Sequence, residues 1–176
     1  MKRLSFFFSL ILICGFLYSQ ESIGSFKEIE TSIQCEAGEV FGTLLLPDTN
    51  AQLPIALIIS GSGPTDRDGN QPNIKNNCLR YLAEELSSRG ICSLRYDKRG
   101  IGKSKFGVRE SDLRFDDYIK DAQKWIEKLK QDPRFSQIIV IGHSEGSLIG
   151  IKAAFDSKAD MLVSIAGFSQ PADKII

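Results

Sequence analysis

Histidine is nearly absent: the 176 residues hold one, His143. A chain so short of imidazole has little choice of general base near neutral pH, so base chemistry rests on that residue or on a group outside the sequence. A dominant charge is absent too. Lys and Arg number 22 and so do Asp and Glu, which leaves no basic field for a phosphate backbone or an anionic membrane and excludes nucleic acid as a partner. Cysteine is sparse. Beyond Cys14 there are Cys35, Cys78 and Cys92, an odd number at wide spacings that suits neither a disulfide framework nor metal-ligand pairs, so we expect small buried apolar side chains. Internal repeats, low-complexity tracts and linkers are missing. Nucleotide and calcium motifs fail on spacing: "GIGKS" would need glycine at Asp97 to be a phosphate loop, Gly61 and Gly63 would need a third glycine at Asp66, and a calcium loop would need Gly and Glu at Gln71 and Asn77. We therefore expect no cofactor and no metal.

What is present is 42% apolar and 25% charged, the composition of one globular domain. Lys2 and Arg3 precede an apolar stretch over 4–18, too short for a spanning helix and built like a secretory signal peptide, with cleavage expected near Ser19 and Gln20. Cys14 raises a lipoprotein variant, but Ile13 stands where such signals carry a small residue. We expect residues 1–19 to be removed on export to the periplasm or the medium, leaving a domain over 20–176 with no stable membrane span.

Two segments over 26–46 alternate apolar with polar residues around Gly38, the pattern of an antiparallel hairpin. The runs at 54–60, 91–97, 137–142 and 161–167 are short and aliphatic, as in parallel strands covered on both faces. Helical patterns lie between them. One carries Leu79, Leu82, Ala83 and Leu86, another runs from Phe115 to Leu129 with Trp125 on its buried stripe, and a third runs over 145–155. Strands alternating with helices predict a doubly wound α/β domain whose mostly parallel sheet begins with an antiparallel hairpin.

Ligands of such sheets bind beyond the carboxyl ends of the strands, and three loops there stand out: "SGSGPTDRDGN", "DKRGIGKS" and "GHSEG". In the last, a strand ending at Gly142 and a helix starting at Glu145 leave Ser144 on a tight turn. Gly142 and Gly146 supply the room that turn needs, and the Ser144 hydroxyl stands above the sheet edge as a nucleophile. The Glu145 N–H, at the helix N-terminus, points where an oxyanion would form. A second donor comes from the "SGSG" loop, with the Ser62 N–H as candidate and Gly61 or Gly63 as alternatives. Asp66, Arg67 and Asp68 read as turn hydrogen bonds and a local ion pair, and Arg99, Gly100, Gly102 and Ser104 as a turn bracing its neighbours. Ser147 stands where a Ser–Lys mechanism would need lysine.

In this order, the hairpin, "SGSGP", "YDKRGIGKS" and "GHSEG" resemble the first two thirds of an α/β-hydrolase, over roughly 26–168. Within that superfamily the chain is most similar to secreted bacterial esterases and serine aminopeptidase-like hydrolases. The resemblance implies Ser144 as nucleophile, the Glu145 and Ser62 N–H groups as oxyanion hole, and a small acyl compound as substrate.

The family places its acid and then its histidine on loops after later strands, and here no histidine follows Ser144 and the chain ends ten residues past the run at 161–166. His143 cannot substitute, because neighbours at a strand end point to opposite faces, which predicts its ring in the sheet packing. The Glu145 carboxylate is expected beside the helix N-terminus, facing away from the cleft. We expect an incomplete hydrolase fold, with two further strand–helix units of about 60 residues supplying acid, base and lid, since "PADKII" lacks a helix cap or polar tail. The rival readings are a non-catalytic module holding a ligand in the same cleft, or an aminopeptidase or thioesterase.

Overall fold

The computed structural model describes residues 25–36, 38–107 and 109–168. The signal-peptide segment, Cys14 and "PADKII" lie outside the described residues.

The hairpin forms as its alternation predicts: β1 (Phe26–Cys35) and β2 (Gly38–Pro47) pair antiparallel along their whole length, with β1 at one sheet edge. Four parallel strands follow, β3 (Leu53–Ile59), β4 (Cys92–Tyr96), β5 (Phe135–His143) and β6 (Met161–Ile165), in the order β1-β2-β4-β3-β5-β6. Pro54 has no N–H to give the ladder, and the β3–β5 register shifts between Leu53 and Ile55. From there the aliphatic run is buried without interruption, Ile55 to Ile59 at 0–1% exposure.

Burial on both faces requires cover on both faces, and the helices provide it. On one side α1 (Cys78–Ser88) lays Leu79 and Ala83 against Leu45, Ala56 and Ile58. On the other, α2 (Phe115–Lys130) and α3 (Glu145–Asp156) pack Ile119, Trp125, Ile126 and Ile149 against Val40, Leu57 and Leu94. Trp125 is fully buried, a core aromatic as its stripe position predicts. The start of α2 is held by Asp117, whose carboxylate accepts from the Arg114 N–H at 2.8 Å, and acids in its first turn with lysines in its last suit the helix dipole. Among the described residues no helix is long and apolar enough to cross a membrane.

Two expectations need correction. The run at 161–167 reads as a strand covered on both faces, whereas every residue of β6 is exposed; among the described residues it pairs with β5 alone. The cysteines are not uniformly buried. Cys92 is, and burial pushes its thiol up to about 11. Cys35 is half-buried and donates to Asp121 Oδ1 at 3.0 Å, and burial together with that carboxylate pushes its thiol up to about 12. Cys78 is exposed, since it opens α1 at a cavity wall.

The topology places the site. From β3 the chain winds through α1 to β4, towards the hairpin, whereas from β5 it winds through α3 to β6, the other way. Neighbours β3 and β5 therefore open a crevice at their carboxyl ends, where the loops after Ile59 and His143 meet.

Candidate active site

Ser144 sits between β5 and α3 with φ 54° and ψ −120°, a strained backbone for a residue with a Cβ. Two close backbone approaches hold it there. A Cβ on Gly142 would lie 2.6 Å from Ser147 Cα, and one on Gly146 would lie 2.6 Å from the Ser60 carbonyl oxygen, so both positions accept only glycine without a backbone shift. The Ser144 N–H donates to the Ile165 carbonyl at 2.9 Å, and Ser147 Oγ donates to the Gly142 carbonyl at 2.7 Å. Strand, turn and helix are thus bound together around a half-buried Ser144.

The loop after β3 lies directly against this turn: a Cβ on Gly61 would meet Ser144 Cβ at 3.3 Å and His143 Nδ1 at 3.1 Å. Gly61, Ser62 and Ser144 line one cavity of about 250 Å³ together with Gln71, Ile74 and Leu79. Gly63, with φ 80°, turns away and lines the neighbouring cavity. Of the three residues considered in this loop, Gly61 and Ser62 are therefore the ones brought to the serine. The stretch 66–70 folds on itself, the Asp66 carboxylate accepting from the N–H groups of Asp68 and Asn70 at 2.9 and 2.8 Å. The ion pairs beside it are long-range. Arg67 grips Asp97 through Nε and Nη2 at 3.0 and 2.7 Å, and Asp68 accepts from Arg95 Nε at 2.9 Å.

His143 departs from expectation. Its side chain is exposed and lines the same cavity as Ser144. The alternation argument fails because β5 ends at His143 and the chain turns sharply there, and because the ring finds room against a glycine, Gly61, rather than a side chain. Glu145 departs less. It does not line the cavity, but its carboxylate reaches Lys98 Nζ at 3.5 Å instead of resting at the helix end.

The comparisons with known proteins bear on the family and on the fold. The family model for serine aminopeptidases of the S33 type matches residues 75–175, more than half of the chain. This chain belongs to the S33 serine aminopeptidase family of hydrolases. It is 32% identical over 136 residues to the esterase EstD of Thermotoga maritima, an alignment covering 77% of this chain and 32% of that protein. Among solved structures, the α/β-hydrolase GrgF from Penicillium sp. sh18 superposes with a TM-score of 0.67 at 20% identity, over 80% of this chain and 46% of that one. XC6422 from Xanthomonas campestris, an α/β serine hydrolase without a lid, superposes with a TM-score of 0.61 at 19% identity, over 80% of this chain and 62% of that one. The fold is that of an α/β-hydrolase. The chain spans about a third of the length of the curated relative it matches.

Around the Ser144 turn the basic loop after β4 acts as a brace. Asp97 also accepts from the Lys103 N–H at 3.1 Å, and a side chain on Gly102, at φ 53°, would strike its carboxylate. Arg99 pairs with Asp121 through two bonds of 2.7 Å, which hold its guanidinium charged. Ser104 Oγ accepts from the Phe41 N–H and donates to the Asp97 carbonyl, both at 2.8 Å. Sequence reasoning anticipated that bracing but overlooked Lys98. A lysine between Asp97 and Arg99 reads as a solvated charge, and nothing in its spacing marks it as 5% exposed. Among the described residues no group of three His, Cys, Asp or Glu could hold a metal.

Proposed function

We propose that the protein hydrolyses carboxylic esters through an acyl-enzyme formed on Ser144. The observation that carries this is the strained Ser144 backbone between two glycines that only glycine fits, facing a cavity shared with Ser62. In the proposed reaction Ser144 Oγ attacks the ester carbonyl carbon while its proton passes to a histidine base. The resulting oxyanion is held by the N–H groups of Ser62 and Glu145, the alcohol departs with the proton, and water then releases the acid. The acid and base of the triad come, in this reading, from a part of the protein outside these 176 residues. The curated relative bearing the name esterase supports an ester substrate. The family's aminopeptidase description supports an aminoacyl amide as the second reading. A panel of chromogenic esters, thioesters and aminoacyl amides on the complete protein separates them: esters should be turned over fastest, and a preference for amides would replace the first reading by the second. Inactivity on every class would leave the cleft as a binding site.

His143 forms part of the cavity wall in this proposal, not the base. In the complete protein His143→Gln should change kcat by less than about 10-fold, the scale of losing wall packing, whereas loss of a general base costs about 10²-fold or more. A kcat loss of that larger size, with a vanished basic limb in the pH profile, would make His143 the base.

We further propose that the protein is exported with removal of residues 1–19, on the Lys2, Arg3 and apolar pattern of the N-terminus. Expressed with its own N-terminus in a bacterium, the exported form should begin at Gln20 on N-terminal sequencing. Met1 on the exported protein would argue against cleavage, and a lipidated Cys14 would establish the lipoprotein variant.

A further inference from the structure

Lys98 leaves β4 into a place where a lysine is costly, 5% exposed beneath the loop after β3. A buried ammonium persists only when its charge and its donors are met. Among the described residues these partners meet it. Its Nζ donates to the Gly61 carbonyl at 2.6 Å, the Glu145 carboxylate lies 3.5 Å away, and the Tyr118 ring lies under it with the centroid at 5.6 Å. The first two contacts join the residues that flank Ser144 in space: Gly61 packs on the serine, and Glu145 follows it in sequence. Lys98 itself lines the neighbouring cavity and not the one that holds Ser144. It therefore reaches the serine site from behind the loop.

The consequence follows from the peptide unit. The Gly61 carbonyl and the Ser62 N–H belong to one planar group and point in opposite senses across it. An ammonium bound to the carbonyl oxygen fixes the plane, sends the Ser62 N–H away from Lys98, and withdraws electron density so that the N–H becomes a stronger donor. Among the described residues that N–H donates no hydrogen bond to the backbone or to a side chain, and Ser62 lines the cavity with Ser144. We propose that Lys98 is a positioning residue for the oxyanion hole, acting through the Gly61–Ser62 peptide. Its ion pair with Glu145 keeps that carboxylate from opposing the developing negative charge. The inference rests on the reading of Ser144 as nucleophile and Ser62 N–H as oxyanion donor.

The test is steady-state hydrolysis of p-nitrophenyl acetate by the complete protein, with amide NMR of Ser62. Losing a whole oxyanion donor costs about 10²–10³-fold in kcat. A donor that is weakened and less well aimed should cost about 10- to 100-fold, so Lys98→Met should lower kcat by that factor, leave KM within about twofold, and move the Ser62 amide proton upfield. Lys98→Arg, which keeps a charged donor, should recover most of the loss. If Lys98 served only to neutralise Glu145, adding Glu145→Gln would restore kcat. In our reading the double variant Lys98→Met/Glu145→Gln stays impaired. That variant also removes both charges, so it carries the same readout if Lys98→Met alone strands a carboxylate and fails to fold. Unchanged kcat in Lys98→Met, or wild-type kcat in the double variant, would overturn the proposal. Ser144→Ala separates the two ideas: turnover that survives it refutes the nucleophile, while the Ser62 amide shift still reports whether Lys98 governs that peptide.

Discussion

Ser144→Ala in the complete protein should lower kcat by on the order of 10⁶-fold, the size of effect that removing the nucleophile has in other serine hydrolases. The hydroxyl is the group that forms the covalent intermediate, and no neighbour can take its place. Ser147, one helical turn on, is fully buried with its Oγ committed to the Gly142 carbonyl. Thermal stability should change little. Among the described residues Ser144 Oγ carries no hydrogen bond of the turn, which is held by the Ser144 N–H and by close glycine packing, both retained in alanine. A fluorophosphonate should label Ser144 and no other serine, and mass spectrometry of the labelled peptide is the direct check. Label elsewhere, or turnover that survives the substitution, would remove the assignment.

The second large effect concerns residues 20–176 expressed alone. With no histidine besides His143, and without the later strands whose loops would carry a triad acid and base, the serine stays protonated near neutral pH, and only binding and the oxyanion donors remain to accelerate the reaction. In other triad enzymes that remainder is about 10³–10⁴-fold over water, below what ordinary ester assays detect. Self-association should accompany the loss of turnover. Among the described residues strand β6 has an unpaired edge beyond its bonds to β5, and Met161, Leu162, Val163 and Ile165 are 39–52% exposed along it. On the adjacent helix, Ile151 and Phe155 add exposures of 45% and 82%. An apolar edge of this kind templates pairing with another chain, so sedimentation should find oligomers or aggregates. A soluble monomer with ordinary kcat would contradict the need for residues outside this segment.

The local pattern was sufficient wherever burial and backbone geometry are properties of a short stretch. Period-two alternation placed the hairpin, an unbroken aliphatic run placed β3 in the interior, and the stripe through Trp125 set the buried face of α2, because each depends on neighbours a few residues away. The turn at Ser144 belongs to the same class, since glycine two residues to either side is a steric demand written in consecutive positions. Tertiary structure alone decided what depends on residues far apart in sequence. His143 faces the cavity because Gly61, eighty-two positions earlier, leaves its ring a place to lie. Lys98 is buried because the loop after β3 folds over it and supplies a carbonyl at 2.6 Å. A lysine carries no local mark of burial, because its desolvation is offset only by partners that the completed fold brings to it.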